Sequence, residues 1–201
     1  LGQEAIQFFR EKDLRELLKI HINDPESEID KVEGKGALNF LSIDDLSIAE
    51  EGETIVPESI IEMTFFNNKP IFPKIEYSCE DSFLKRVHSG QKKWVVLTDK
   101  EGVPKLTLDS DAFLRSALFE KTVINPLEFC HRPIIIHDSE TSLGDTILQL
   151  KVNPERSGDD VIDKDVILFW GDQKRVITGS DILGRLLRGI VKNKTTSISN
   201  D

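Results

Sequence analysis

The chain has 201 residues, of which 38% are hydrophobic and 31% are charged, so it is long enough to bury a core and has the composition of a globular protein. Its formal net charge of −10 argues against a protein that binds nucleic acid through the phosphate backbone, because such proteins need a basic surface. No apolar run reaches the length of a membrane-spanning helix and no secretory signal is recognisable, which predicts a cytoplasmic protein without membrane contact.

The acidic residues are concentrated at the start of the chain. The first sixty residues hold fifteen Asp and Glu against six Lys and Arg. Apolar spacing predicts an amphipathic helix over 4–20, and proline, glycine and charge predict a loop over 23–35. Residues 37–43 and 46–56 have a β-type composition. We therefore assign 1–64 to an acidic helix followed by a β-rich segment.

From residue 65 onward a more regular order of elements begins. Apolar runs, turns and capping residues predict a strand, a helix, two strands and a second helix. Their predicted positions are 69–78, 79–90, 92–99, 103–109 and 110–120. The second helix would be capped by Ser110 or Asp111. This first unit takes residues 65–123.

The same order of elements then occurs a second time. The predicted elements are a strand over 132–138, a helix over 142–152, strands over 166–171 and 175–179, and a helix over 180–190. Ser180 or Asp181 would cap the last helix, and Asp181 follows Asp111 by 70 residues. The second unit takes residues 124–195 and leaves 196–201 as a tail. An internal duplication is therefore the main feature of this sequence.

Two small α/β units of this kind are expected to pack together about a pseudo-twofold axis and to leave apolar clefts between them. The segment RVITGSD places polar groups beside such a cleft. The hydroxyl of Thr178 and the helix N–H groups near Ser180 would suit a phosphate, and the carboxylate of Asp181 would suit a ribose diol. This pattern predicts binding of a small ligand that carries a flat base.

These residues resemble the signature of CBS domains, named after cystathionine beta-synthase, in which a Gly-Ile-Val-Thr-x-x-Asp segment leads from a strand into a helix. RVITGSDILGRLL matches over 176–187, with Arg175 where the family usually has glycine. In PKLTLDSDAFLRSAL, Asp111 aligns with the family aspartate, but Leu108 stands at the threonine position. The resemblance covers about 65–195. It implies an α/β (α+β) fold of tandem β-α-β-β-α repeats packed about a pseudo-twofold axis.

The resemblance implies a regulatory module, because CBS pairs bind adenosine-containing ligands such as AMP, ADP, ATP or S-adenosylmethionine and often dimerise. The residues that it assigns to the ligand are Thr178, Ser180, Asp181, Ile134, Ile136 and Asp111. The first three would hold phosphate and ribose, the isoleucines would lie against the base, and the last would be a weaker counterpart in the first unit. We expect a non-catalytic, ligand-sensing homodimer that requires no cofactor. The alternative is a structural dimerisation module without a ligand.

Other interpretations of the same residues stay open at this point. Asp111 and Asp181 are also explained as helix caps. The four histidines have no metal-ligand spacing, and Cys79 and Cys130 are too few for a disulfide framework or a zinc site. Neither a nucleophile elbow nor a phosphate-binding glycine loop is present in the sequence. An enzyme whose active site lies in 1–60 or in sequence outside these 201 residues is the third hypothesis.

Overall fold

The computed structural model describes residues 10–43, 45–120, 123–151 and 160–191, and the predicted tail over 196–201 lies outside them. The α-helices in the described residues are α1 (Glu11–Asn23), α2 (Lys31–Leu41), α3 (Ser82–His88), α4 (Ser110–Phe119), α5 (Leu143–Ile147) and α6 (Gly179–Leu186). The strands there are β1 (Glu53–Thr54), β2 (Ile60–Glu62), β3 (Phe65–Phe66), β4 (Lys69–Pro70), β5 (Trp94–Thr98), β6 (Pro104–Asp109), β7 (Cys130–Ile136), β8 (Ile162–Trp170) and β9 (Lys174–Thr178). The expected mixed α/β class is confirmed.

Seven of these strands form one mixed sheet in the order β1-β9-β8-β7-β6-β5-β2. In one half of the sheet, β2 is parallel to β5 and β5 is antiparallel to β6. In the other half, β7 is parallel to β8 and β8 is antiparallel to β9. Antiparallel pairing of β6 with β7 joins the two halves, and β1 extends the second half by pairing with β9.

The sheet curls so that strands from its two halves approach each other. In a flat sheet, β5 and β9 would lie about 19 Å apart, because three strands separate them. Instead, side chains of β5, β8 and β9 share one buried cluster, and Trp94 of β5 and Val176 of β9 line one cleft. The buried members of this inner cluster are Ile55, Trp94, Val96, Val166, Leu168 and Val176.

The opposite face of the sheet is covered by helices. Because successive residues of a strand point to opposite faces, Val95 and Leu97 of β5 pack with α3 and α4, whereas Trp94 and Val96 belong to the inner cluster. The second half repeats this alternation, with Ile167 beneath α5 and α6. Each half therefore has its own helix-covered core, and the inner cluster lies between them.

The N-terminal segment differs from the sequence prediction. The predicted β-rich stretch over 37–43 and part of the predicted loop over 23–35 are occupied by α2. The cause is a capping box that the loop prediction overlooked: the Asp30 carboxylate accepts hydrogen bonds from the N–H groups of Val32 and Glu33, and Glu33 accepts one from Asp30. The predicted helix over 4–20 is found as α1, and residues 4–9 lie outside the described part of the chain.

The close packing of α1 on α2 depends on a glycine. A Cβ atom added to Gly34 would lie 2.3 Å from Cγ1 of Ile22, closer than side chains approach each other. Gly34 is buried where the two helices meet. The glycine that weakens α2 as an isolated helix therefore allows the helical hairpin to form.

The first strand of the first unit was predicted at the wrong place. Over 69–78 the structure has only the second strand of the β3–β4 hairpin, followed by chain without regular structure. The strand parallel to β5 is instead β2, which lies within 1–64. Pro70 and Pro73 explain the difference, because a proline has no N–H group to donate to a neighbouring strand. The first 64 residues thus contribute two strands to the main sheet.

The predicted caps of α4 and α6 also shift by one to three residues. The N-cap of α4 is Asp109, whose carboxylate accepts from the N–H of Ala112 at 3.0 Å, and the N-cap of α6 is Thr178. In both halves the helix begins directly after the strand, so the last strand residue serves as the cap. By this criterion Thr178 corresponds to Asp109, and Ser180 corresponds to Asp111.

Candidate functional site

The first turn of α6 holds the predicted hydroxyl and carboxylate together. Thr178 donates two hydrogen bonds to Oδ2 of Asp181, from its N–H group at 2.8 Å and from its hydroxyl at 2.7 Å. Asp181 is half-buried and Ser180 is exposed. Asp181 is therefore the third helical residue of a capping box whose N-cap is Thr178, and the same turn forms the wall of a cleft.

This cleft lies between the two halves of the sheet and has a volume of about 220 Å³. One wall comes from the first half and the other from β9, α6 and the short edge strand β1. The lining residues are Glu53, Lys93, Trp94, Val176, Thr178, Ser180 and Asp181. We refer to it below as the central cleft.

Lys93 and Trp94 form the wall from the first half. The Lys93 ammonium lies 5.2 Å from the centroid of the Trp94 ring, within the range of a cation–π contact. The same ammonium lies 3.6 Å from Oδ2 of Asp109, the cap of α4. The indole is buried, and both side chains line the cleft.

Behind Trp94 lies a buried histidine paired with a carboxylate. The rings of Trp94 and His131 meet edge to face, with centroids 4.9 Å apart and an interplanar angle of 88°. Nδ1 of His131 lies 2.8 Å from Oδ2 of Asp165 on β8. This arrangement connects β5, β7 and β8 and fixes the orientation of the indole.

A second cleft lies on the other side of the α6 first turn and has a volume of about 380 Å³. It shares Ser180 and Asp181 with the central cleft. In this second cleft Arg185 contacts both carboxylate oxygens of Glu51, with Nε at 3.1 and 3.2 Å. Arg188 lies at its exposed rim.

Three predicted ligand residues do not line the central cleft. Ile134 is buried and Ile136 half-buried in the core beneath α5 and α6, on the face opposite the inner cluster. The residue between them, Ile135, is the one that packs against that cluster. The alternation of β7 therefore places the two predicted isoleucines away from the cleft. Asp111 is exposed on α4, and the cap role that the sequence suggested for it belongs to Asp109.

Sequence reasoning missed the lining residues Glu53, Lys93 and Trp94. The only signal was the Lys-Lys-Trp run that leads into an apolar strand, which is also typical of an ordinary strand start. Nothing in the local pattern shows that this strand end faces Thr178, because that contact depends on the curl of the sheet.

No family model matches the chain, and no curated protein matches it either. The resemblance to CBS domains therefore rests on the residues quoted from the sequence and stays a prediction. In the described residues, no helix is both long and apolar enough to cross a bilayer. Within those same residues, no three His, Cys, Asp or Glu side chains are grouped so that they could hold a metal ion.

Proposed function

We propose that this chain is a cytoplasmic regulatory module of the CBS-pair type, without catalytic activity of its own, that binds a small adenosine-containing ligand in the central cleft. The observation that carries this proposal is the composition of the cleft walls. A hydroxyl and a carboxylate, Thr178 and Asp181, face Lys93 and Trp94 of the other half across one opening. The repeated order of strand pairing in the two halves supports the same interpretation.

Asp181 would contact the ligand through an oxygen that Thr178 leaves unused. Both hydrogen bonds from Thr178 go to Oδ2, and a carboxylate has a second oxygen that can accept from a sugar hydroxyl. The Trp94 ring and Val176 would provide the apolar contacts for a base. A ligand held in this way touches both halves and would favour the arrangement in which they are close.

The helix that forms the cleft wall also connects the site to the N-terminal hairpin. Asn39 of α2 donates both amide hydrogens to the C-terminal end of α6, to the carbonyls of Leu186 at 2.8 Å and Arg188 at 2.9 Å. A shift of α6 on ligand binding would therefore move α2. In this proposal, the α1–α2 helical hairpin is the part of the module that moves in response to the ligand.

A thermal-shift series tests the proposal. The 201-residue chain is melted alone and with adenosine, AMP, ATP or S-adenosylmethionine at millimolar concentration. A ligand present at about 100 times its dissociation constant adds about 2.7 kcal/mol of apparent stability. Asp181→Asn keeps a capping oxygen and should abolish the shift, whereas Asp111→Asn, on the corresponding turn of α4, should keep it. If none of the four compounds stabilises the native chain, the binding claim is wrong.

A second candidate function is homodimerisation without a ligand. The observation that favours it is an apolar groove of about 620 Å³ between α2, α5 and α6. Phe40 is 67% exposed and Leu148 is 85% exposed at this groove. Light scattering distinguishes the two candidates: a dimer that Leu148→Glu dissociates, with no thermal shift in any nucleoside, would favour this function. A monomer at all concentrations would exclude it.

A further inference from the structure

At the N-terminus of α6, the position that attracts an anion is already occupied by a carboxylate of the chain itself. The peptide N–H groups and the dipole of a helix favour a negative group at its first turn, and phosphates often bind there. Here Asp181 supplies that negative group from within the chain and is fixed by two hydrogen bonds from Thr178. A phosphate placed on this turn would lie beside a carboxylate.

The rest of the central cleft adds to this negative field. Its charged lining residues are Glu53, Asp181 and Lys93, so carboxylates outnumber ammonium groups. Lys93 is also engaged, because it lies over the Trp94 ring and 3.6 Å from Asp109. Glu53 is exposed, and it pairs with Val176 in the edge contact of β1 with β9, so its side chain is directed to the same face as Val176.

The second cleft offers a phosphate little compensation. Arg185 is committed to Glu51 through both of its guanidinium edge nitrogens. Arg188 is the cation at that rim through which a phosphate could still be held. The binding test therefore includes a variant of Arg188.

We infer that the central cleft selects its ligand by charge, taking a neutral or positively charged adenosine derivative and rejecting phosphorylated ones. This inference rests on the proposed function, since it specifies the ligand class of the same site. The physical cause is that Glu53 and Asp181 attract a cation at the 5′ position of the sugar and repel a phosphate dianion there.

Three compounds that differ only at the 5′ position test the inference by calorimetry on the 201-residue chain. They are 5′-amino-5′-deoxyadenosine, which is largely protonated at pH 7, adenosine, which is neutral, and AMP, which is anionic. We expect affinity to fall in that order, with the amine at least about tenfold tighter than AMP, which corresponds to about 1.4 kcal/mol. The difference should narrow as salt is raised, because salt screens charges at an open cleft.

Two variants test whether the preference for the amine arises in the central cleft. Glu53 is exposed, so Glu53→Gln should fold normally and should reduce the advantage of the amine over adenosine. Arg188→Ala should leave all three affinities unchanged. An amine preference that Glu53→Gln does not alter would overturn the assignment to this cleft. Tighter binding of AMP than of adenosine that persists in Arg188→Ala would overturn the selectivity itself, because the second cleft could not then account for it. If none of the three compounds binds, the proposed function fails rather than the charge argument alone.

Discussion

Arg185 and Glu51 form a bidentate ion pair that links α6 to the segment leading into β1. Nε of Arg185 lies 3.1 Å and 3.2 Å from the two carboxylate oxygens, and Nη2 also contacts Oε1. Glu51 is buried, and the next residue, Gly52, accepts a hydrogen bond from Arg175 of β9 at 3.1 Å. The edge strand of the sheet and the helix of the cleft are therefore held by neighbouring arginine contacts.

Removing this pair should destabilise the protein. Arg185→Ala leaves the Glu51 carboxylate buried without its charge partner, and we expect a loss of about 2 kcal/mol, between the values typical of exposed and of buried pairs. Urea unfolding followed by circular dichroism measures it. Arg188→Ala removes an exposed arginine one turn away and should change stability by less than about 0.5 kcal/mol. Equal losses in the two variants would contradict this account.

Asp81 should make stability depend on pH in the acid range. Burial raises the pKa of this carboxyl, but hydrogen bonds from the N–H groups of Glu76, Leu84 and Phe83 outweigh burial and hold the pKa below its usual value. A carboxyl whose pKa is lowered on folding stabilises the protein above the unfolded pKa of about 3.9, and this contribution disappears as pH falls through the folded pKa.

The Asp81 prediction is checked by unfolding at pH 7 and at pH 3. Asp81→Asn should cost about 1 kcal/mol at pH 7, because one amide oxygen cannot replace two carboxylate oxygens that accept from different N–H groups. The variant should also lose less stability on acidification than the native chain. Asp111→Asn changes an exposed carboxyl without a cap role and serves as the control. A native chain and an Asp81→Asn variant that lose equal stability on acidification would show that Asp81 is not a source of the dependence.

The two cysteines should differ in reactivity. Burial raises the pKa of the Cys130 thiol to about 12, whereas Cys79 is exposed. Because the thiolate is the reactive form, a thiol reagent at pH 8 should modify one cysteine in the folded protein and both in denaturant. Cys79→Ser should abolish the rapid reaction. Rapid modification of Cys130 in that variant would mean that β7 opens readily.

The sequence predicted the repeated elements well where local pattern determines structure. Strands β5, β6, β8 and β9 carry apolar runs bounded by turns, and α3, α4 and α6 follow clear capping residues. Two errors have local causes, the overlooked capping box at the start of α2 and the prolines within 69–78, and others arise where tertiary contacts override composition. The glycines of α2 look like loop residues until Ile22 packs against Gly34, and Pro133 interrupts β7 with a register shift that no local pattern shows.

The sequence predicted only one of the two walls of the candidate site. Thr178 and Asp181 are close in sequence, so a spacing argument could find them. Their partners Lys93 and Trp94 are about eighty residues away in the chain and reach them only because the sheet curls. The isoleucines of β7 were assigned to the base without knowing which face of the strand meets the cleft, and the alternation of side chains placed them on the other face.

Trp94 should report binding in the central cleft by its fluorescence. The chain has two tryptophans, and each has a lysine over its ring: Lys93 at 5.2 Å from Trp94 and Lys174 at 5.0 Å from Trp170. They are thus a matched pair, but only Trp94 lines the central cleft. Adenosine added to Trp170→Phe should change the emission with the same concentration dependence that calorimetry gives, and added to Trp94→Phe it should leave the emission unchanged. The Phe substitution keeps an aromatic ring against His131, and a melting curve checks that the fold is retained. Heat of binding without any emission change in Trp170→Phe would place the ligand elsewhere, because a base in contact with the indole alters its surroundings directly.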